Sequence, residues 1–204
     1  MITIINYHMG NLGSIINMLK RIGASSTITS DPAEIEAAEK IILPGVGHFD
    51  KAMHNLTHLG LVDVLRKKVL EDRVPVLGIC LGMQLLCKNS EEGSRDGLGF
   101  VDAYVKRFYF TEENGLKIPQ MGWNLIKPEK ASPLLENNGK DARFYFVHSY
   151  HAVCNNPQDV LTSTYHGYRF TSSFECDNII GVQFHPEKSH RFGMQLLKNF
   201  VENY

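Results

Sequence analysis

At 204 residues the chain is long enough to bury one sizeable hydrophobic core, and we expect one domain that spans residues 1–204. Its 21 basic and 22 acidic side chains are interspersed and leave a net charge of −1, which argues against a nucleic-acid-binding protein. No apolar run approaches the length of a membrane span and the first residues lack a signal-peptide pattern, so we expect a cytoplasmic protein that contacts no membrane.

Residues 1–80 alternate short apolar runs with amphipathic segments, which is the pattern of a parallel sheet covered by helices. The predicted strands cover residues 1–6, 25–30, 40–43 and 74–79, and the predicted helices cover residues 14–22, 48–57 and 61–72, with a short helix after the N-cap Asp31. The loop at residues 7–13 lacks both phosphate-binding glycine patterns, so a tight turn explains its glycines better.

The segment P-G-V-G at residues 44–47 ends the third predicted strand. Glycines on both sides of Val46 allow a peptide plane to turn over, which suits a backbone that binds an oxyanion. An ordinary turn between a strand and a helix is the alternative interpretation.

The run V-P-V-L-G-I-C-L-G-M-Q at residues 74–84 predicts a buried strand that turns sharply into a helix at Cys80. Gly78 and Gly82 permit such a tight turn. A thiol at the start of a helix lies among free backbone N–H groups, which favour a thiolate and can bind an oxyanion. A small buried hydrophobe is the alternative interpretation of Cys80, because most free cysteines pack in cores.

From residue 89 the pattern changes to short alternating segments with turns, which predicts antiparallel strands beside the parallel ones. Polar loops are predicted at residues 89–99 and 128–141. Short alternating strand patterns cover residues 100–126, for example at Tyr104, Lys106, Phe108 and Phe110, with a turn at 113–115. Further strands are predicted at residues 143–147 and, as a hairpin around Gly167, at 161–166 and 168–174, and a helix is predicted at 192–201. His148 and His151 have no neighbouring carboxylate and are predicted to be structural. We therefore expect an α/β fold with a central mixed, mostly parallel sheet, helices on both faces and a small antiparallel addition.

The last predicted strand, residues 179–184, delivers His185 at its end, and Pro186 prevents a regular continuation. Glu187 follows immediately. A cysteine nucleophile needs a base within hydrogen-bond reach and a third group that orients this base. His185 and Glu187 supply both if this strand lies next to the strand that ends at Cys80.

We expect neither a metal nor an organic cofactor. The four cysteines form no C-x-x-C pair and are predicted to be reduced thiols. His54 and His58 have the spacing of two metal ligands on one helix face, but Asn55 stands where H-E-x-x-H has its Glu. Two exposed polar side chains explain this pair better.

The motifs G-I-C-L-G-M-Q at residues 78–84 and F-H-P-E at 184–187 together resemble the class I (triad) glutamine amidotransferases. P-G-V-G at 44–47, Q-M-G-W-N at 120–124 and Y-F-V-H-S-Y at 145–150 are similar to one branch, the glutaminase subunits of imidazole glycerol phosphate synthase. The resemblance covers essentially the whole chain. It implies a single-domain, flavodoxin-like fold that needs no cofactor.

The resemblance also implies a role for each matching residue. Cys80 attacks the side-chain amide of glutamine, His185 protonates the departing ammonia and then activates water, and Glu187 orients the imidazole. The other implied residues are the oxyanion-hole backbone of Val46, Gly47 and Leu81 and the glutamine-binding residues Gly45, Gln84, Ser149 and Tyr150. In the family, a backbone flip near Val46 accompanies activation, and the loop at residues 89–99 shapes the rim of the glutamine pocket.

Ammonia in water at neutral pH is mostly ammonium and a poor nucleophile, so such a glutaminase needs a partner that receives ammonia away from solvent. The resemblance implies a heterodimer with a (β/α)₈-barrel cyclase that makes imidazole glycerol phosphate and an aminoimidazole carboxamide ribotide in histidine biosynthesis. The implied interface residues are Met121, Trp123 and Asn124. We add Lys188 as a candidate for the surface around the ammonia exit because it directly follows Glu187. The loop at residues 7–13 lies near this partner in the family, and His8 replaces the usual glycine there.

Two other functions remain open. Similar glutaminase subunits supply ammonia to ATP-using sugar amidotransferases of surface-polysaccharide assembly, and residues 189–200 fit either kind of subunit. The identity of a co-purified partner would distinguish the two. A catalytically inactive flavodoxin-like binding domain is the more distant alternative, against which the intact set of Cys80, His185 and Glu187 argues.

Overall fold

The computed structural model describes residues 1–110 and 115–204, so the predicted turn at 113–115 lies largely outside the described residues. The helices are α1 (Leu12–Arg21), α2 (Pro32–Glu36), α3 (Phe49–His58), α4 (Leu61–Arg66), α5 (Leu81–Leu85) and α6 (His190–Asn203). The strands are β1 (Ile2–Ile5), β2 (Ser26–Thr29), β3 (Lys40–Leu43), β4 (Val76–Ile79), β5 (Ala103–Arg107), β6 (Gln120–Leu125), β7 (Lys127–Pro128), β8 (Arg143–His148), β9 (Tyr150–Cys154), β10 (Val160–His166), β11 (Tyr168–Cys176) and β12 (Ile179–Val182).

A mixed sheet runs through the described structure with the strand order β2-β1-β3-β4-β12-β11-β10-β7. The strands from β2 to β12 in this order are parallel, and β11, β10 and β7 continue the sheet antiparallel. Strand β9 pairs with both β11 and β5, and β6 pairs with β8 in a separate antiparallel sheet. The predicted α/β class with a mixed sheet is therefore confirmed.

Strands β1, β4 and β12 of the parallel part are buried along their whole length because helices cover both faces of the sheet there. One apolar core joins these strands to α1 and α6, through residues such as Ile15 and Leu197. The other core joins them to α3, α4 and α5, through residues such as Phe49, Leu65 and Leu85. No helix in the described part of the chain combines the length and apolar character that crossing a membrane requires.

Local capping residues set several helix ends. The Asp31 carboxylate accepts a hydrogen bond from Ala33 N at 2.9 Å, so the predicted N-cap is confirmed. Helix α1 begins two residues earlier than predicted, because Asn11 caps it and accepts from Ser14 N at 3.4 Å.

The strand prediction was wrong at three places in the antiparallel region, one of which is the unpredicted two-residue strand β7. Strand β5 ends at Arg107 instead of continuing to Phe110, because Phe108 packs its ring against His151 and Phe170 with centroids 4.8 and 5.1 Å away. Strand β9 was not predicted. It follows β8 after the single residue Ser149, whose carbonyl accepts from Phe108 N at 2.9 Å.

Candidate active site

Neighbouring parallel strands bring the two sequence motifs to the same edge of the sheet. Strands β4 and β12 pair with Gly181 opposite Gly78 and Val182 opposite Ile79. Cys80 N donates to Val182 O at 2.8 Å directly after this ladder. Because both strands end here, Cys80 and the segment that carries His185 enter the same region.

Cys80 occupies a strained turn between β4 and α5. Its φ of 55° and ψ of −110° lie outside the regions that a non-glycine residue normally adopts. Close packing holds this conformation, since a Cβ on Gly82 would lie 1.8 Å from Leu43 O and one on Gly78 would lie 2.7 Å from a Leu86 methyl carbon. The elbow predicted from the two glycines therefore depends on the tight approach of α5 to β3 and β4.

A short 3-10 turn, Pro186–Lys188, brings Glu187 back to His185. His185 Nδ1 and Glu187 Oε1 are 2.7 Å apart, and the two side chains are only 2% and 3% exposed. Burial by itself lowers the pKa of His185, but the hydrogen bond to Glu187 and the charges of Cys80 and Glu187 outweigh burial and raise it. The structure thus places the three predicted catalytic side chains together.

The Nε2 atom of His185 is the ring nitrogen through which this side chain can act as a base. Within the described ranges His185 Nε2 has no aligned hydrogen-bond partner, and it is buried. Glu187 engages the other nitrogen, Nδ1. The ring can therefore exchange a proton through Nε2 with the thiol or with a ligand in the cavity beside it.

A cavity of about 330 Å³ opens at this edge of the sheet, a size that suits a small polar ligand. Its lining consists of Val46, Gly47, Cys80, Leu81, Gln84, Glu92, Pro119, Val147, His148, Ser149, Tyr150 and His185. The lining includes the predicted oxyanion-hole residues and three of the four predicted glutamine-binding residues. The fourth, Gly45, lies directly beside it, because a Cβ on Gly45 would be 2.9 Å from the Leu81 Cβ.

One predicted oxyanion donor is already paired within the chain. Leu81 N donates to Gly45 O at 3.3 Å. The preceding carbonyl, Pro44 O, accepts from the buried Tyr7 hydroxyl. Leu81 N–H becomes available to an oxyanion only when the Gly45 peptide turns its carbonyl away, a rotation for which glycine at position 45 provides the backbone freedom.

Sequence reasoning placed the 89–99 loop at the pocket but did not identify Glu92. The Glu92 Oε2 atom accepts from Phe49 N at 2.9 Å, which directs the carboxylate to the cavity rim. Asp50 fixes the same loop by accepting from Ser94 N and Arg95 N at 3.0 Å each. A carboxylate within a predicted rim loop was the signal available in the sequence.

Pro119, Val147 and His148 were also missed as lining residues. His148 is buried, and its Nδ1 and Nε2 atoms lie 2.7 Å from Tyr150 O and 3.0 Å from Gln120 Oε1. It therefore has the structural contacts predicted from the sequence and also forms part of the cavity wall. Burial lowers the pKa of His148 to about 3.

This buried histidine is expected to make stability depend on pH. The unfolded chain binds a proton at His148 below its ordinary pKa of 6.5, whereas the folded chain does not until about pH 3. Stability should therefore fall with decreasing pH across this window, by about 1.4 kcal/mol per pH unit from this group. Denaturant unfolding between pH 7 and pH 5 measures the free energy of unfolding of the wild type and of His148→Gln, and we expect it to fall more steeply with decreasing pH in the wild type. The same pH dependence in both proteins would contradict this prediction.

An exposed apolar face lies on β6, close to this edge. Met121, Trp123 and Leu125 alternate along the strand and are 66%, 45% and 53% exposed. Asn124 points to the opposite face, where its Nδ2 atom donates to Tyr165 O at 2.9 Å. The predicted interface residues therefore lie on both faces of β6, and Leu125 is an additional member of the apolar one.

Lys188 and two aromatic side chains continue this surface towards the triad. The Lys188 Nζ atom lies 5.7 Å from the centre of the Tyr145 ring. Trp123 is edge-on to the same ring and stacks on His190, with centroids 6.3 and 5.5 Å away. The surface is thus contiguous from β6 to the turn that carries Glu187.

The candidate metal ligands are not gathered into a site. His54 and His58 stack on α3 with ring centroids 5.9 Å apart. In residues 1–110 and 115–204, no group of three His, Cys, Asp or Glu side chains is placed to hold a metal ion.

A thiol, an imidazole and a carboxylate at the end of parallel strands, beside a small polar cavity, define a triad amidohydrolase site. A model of the glutamine amidotransferase class-I family matches residues 3–204, and the chain belongs to this family. It is 52% identical over 202 residues to imidazole glycerol phosphate synthase subunit HisH 2 of Methanococcus maripaludis and 50% identical over 202 residues to the protein of that name from Pseudomonas aeruginosa. Each alignment covers 99% of both chains.

Solved structures share the fold at much lower identity. A crystal structure of a glutamine amidotransferase superposes with a TM-score of 0.73 at 20% identity and covers 98% of this chain and 97% of that one. The structure of PurLQS from Thermotoga maritima gives a TM-score of 0.71 at 15% identity, with 98% of this chain and 96% of that one covered. At this identity the likeness establishes the fold alone.

Proposed function

We propose that this protein is the glutaminase subunit of an imidazole glycerol phosphate synthase in histidine biosynthesis. It hydrolyses glutamine to glutamate and passes the ammonia to a cyclase partner, and residues 1–204 act as one glutamine amidotransferase domain. The observation that carries the proposal is the buried His185–Glu187 pair beside Cys80 at the cavity. The cytoplasmic location predicted from the sequence is part of the same proposal.

In the proposed reaction the Cys80 thiolate attacks the side-chain amide carbon of glutamine and forms a C–S bond. His185 donates its Nε2 proton to the amide nitrogen, so that ammonia leaves and a thioester remains. His185 then removes a proton from water, which attacks the thioester and releases glutamate and the thiolate. Glu187 holds Nδ1–H throughout, which keeps Nε2 directed at the reacting atoms.

The oxyanion of each tetrahedral intermediate needs backbone donors. Leu81 N–H is one, once Gly45 O no longer occupies it, and Val46 or Gly47 N–H is the second. Loss of one such donor costs about 2.7–4 kcal/mol of transition-state stabilisation in subtilisin. We therefore expect slow glutamine hydrolysis by the isolated chain and faster hydrolysis when the partner favours the turned peptide.

The partner in this proposal is a (β/α)₈-barrel cyclase that docks on the face of Met121, Trp123, Leu125 and Lys188. Exposed aromatic and long apolar side chains rimmed by charge are typical of protein interfaces. Ammonia released at Cys80 would then meet the partner without passing through bulk solvent.

Glutamate release by the chain alone, with a cyclase, and with a cyclase plus its nucleotide ligand tests this function. We expect the rate to rise in the full mixture and cyclase product to form from glutamine. Stimulation by a sugar amidotransferase and not by the cyclase would indicate the alternative acceptor. No Cys80-dependent glutamate release in any mixture would exclude a glutaminase.

Substitution Glu92→Gln is expected to raise KM for glutamine. Glutamine carries a cationic α-ammonium, and among the described lining residues Glu92 bears a carboxylate that can pair with it. A hydrogen bond to a charged group contributes about 1.5–3 kcal/mol, so KM should rise about 10- to 100-fold with little change in kcat. Steady-state kinetics measure both constants.

Glu91→Gln is the matched control for this substitution. The Glu91 carboxylate accepts a hydrogen bond from Arg107 N at 2.8 Å outside the cavity, and its loss should leave KM unchanged. Equal KM values for Glu92→Gln and the wild type would remove Glu92 from the glutamine site.

Lys188→Glu is expected to weaken the coupling between glutamine hydrolysis and product formation. The substitution reverses a charge on the proposed docking face beside Tyr145. The ratio of cyclase product to glutamate measures the coupling. Lys198→Glu, on the exposed side of α6, should leave the ratio unchanged, and an unchanged ratio for Lys188→Glu would argue against this placement of the interface.

A further inference from the structure

Gln183 directly follows β12, and its side chain is completely buried beside Cys80. Its backbone N–H donates to Ser172 O at 2.9 Å, which fixes the point from which the side chain extends. A buried amide needs partners for both its oxygen and its NH₂ group, because unpaired polar atoms are costly in a core.

The orientation of two amides follows from one backbone carbonyl. Tyr150 O can only accept, so the Gln84 atom 3.2 Å from it belongs to the NH₂ group. The second hydrogen of that group donates to Gln183 Oε1 at 3.1 Å. Gln183 must then turn its own NH₂ group towards the Cys80 sulfur, which is 3.8 Å away.

We propose that Gln183 is a positioning residue whose N–H group binds the Cys80 thiolate and holds the sulfur towards the cavity. A thiolate accepts hydrogen bonds more strongly than a thiol does, so the donor favours the reactive form. The catalytic consequence rests on the proposed glutaminase function. The hydrogen bond itself is a property of the resting protein.

The same series of hydrogen bonds fixes the orientation of the Gln84 amide. Its NH₂ group is used by Tyr150 O and Gln183 Oε1, so Oε1 is left as the atom of this amide that can accept from a ligand in the cavity. Removing Gln183 should therefore disturb both the sulfur and the orientation of one cavity-lining amide.

Alkylation of Cys80 by iodoacetamide as a function of pH tests the inference, because the thiolate is the reacting form. The protein is used without glutamine or a partner, and mass spectrometry follows the peptide that contains Cys80. The readout is the pH at which the alkylation rate of Cys80 reaches half its maximum, called the alkylation midpoint. For Gln183→Met, and for Gln183→Leu as a second apolar variant, we expect this midpoint to rise by about one pH unit, with about tenfold slower alkylation at pH values below it.

Other cysteines should not obscure this measurement. Burial raises the pKa of all three other thiols, that of Cys154 to about 12 and those of Cys87 and Cys176 above their ordinary value. These thiols, including Cys87 in the same peptide as Cys80, should therefore react at higher pH.

Thr162→Val separates a positioning role from a structural one. This substitution removes a buried hydroxyl that lies 2.8 and 2.6 Å from the Ser172 and Ser173 hydroxyls, so it should lower Tm and leave the alkylation midpoint unchanged. A wild-type midpoint in both Gln183 variants would overturn the inference. Failure of the wild type to hydrolyse glutamine with any partner would overturn the proposed function and leave the alkylation result intact.

Discussion

Cys80→Ala is expected to abolish glutamine hydrolysis, even with a stimulating partner present. The sulfur is the proposed nucleophile, and neither His185 nor Glu187 can replace it, because both are buried and paired with each other. Removal of a triad nucleophile lowers kcat by about 10⁶-fold in subtilisin, so we expect a loss of at least about 10⁴-fold here. Glutamate release should be measured in the partner-stimulated complex, because its high wild-type rate makes a loss of this size detectable.

Cys176→Ala is the matched control for this loss. Cys176 is a free, partly exposed cysteine at the end of β11 and does not line the cavity. Its substitution should leave glutamate release within about twofold of the wild type, since partly exposed positions away from special features tolerate change. Ammonia-dependent product formation by the partner should persist with Cys80→Ala, which would show that the complex still assembles.

Glu187→Gln is expected to cause the second-largest loss, with kcat lower by about 10²- to 10⁴-fold. The corresponding Asp→Asn change in a serine protease triad lowers kcat by about 10⁴-fold because the imidazole adopts the wrong tautomer. Glu187 also helps to raise the pKa of His185, so the variant should have a lower imidazole pKa and less of the protonated form that must donate to ammonia. A pH profile of kcat measures both effects.

The control for charge alone is Glu202→Gln, which removes an exposed carboxylate from α6 and should leave kcat unchanged. If His185 and Glu187 act as one unit, His185→Ala combined with Glu187→Gln should be no slower than His185→Ala alone. If the double variant instead lost kcat by the product of the two single-variant factors, Glu187 would act independently of the imidazole.

Features that depend only on residues close together in the sequence could be predicted from the sequence. The apolar runs that become β1, β3 and β4, the N-cap at Asp31 and the turn at Gly167 all follow from local propensity and pattern. The Cys80 elbow belongs to the same group, because two glycines beside a strand end permit a tight turn there. Phe108 shows the limit, since its alternating pattern predicted a strand while long-range aromatic packing decided its position.

The sequence by itself determined the α/β class, the elbow at Cys80 and the residue types of the candidate triad, because these follow from local periodicity and from motifs within a few residues. Only the tertiary structure decided that β4 and β12 are neighbours, that Gly45 O occupies Leu81 N–H, and that Glu92 reaches the cavity. These contacts join segments far apart in the chain, and their register is set by the packing of the whole sheet. The role of Gln183 could not be predicted from the residues around it for the same reason. Its amide is oriented through Gln84 by the Tyr150 carbonyl on β9, and both residues are far from Gln183 in the sequence.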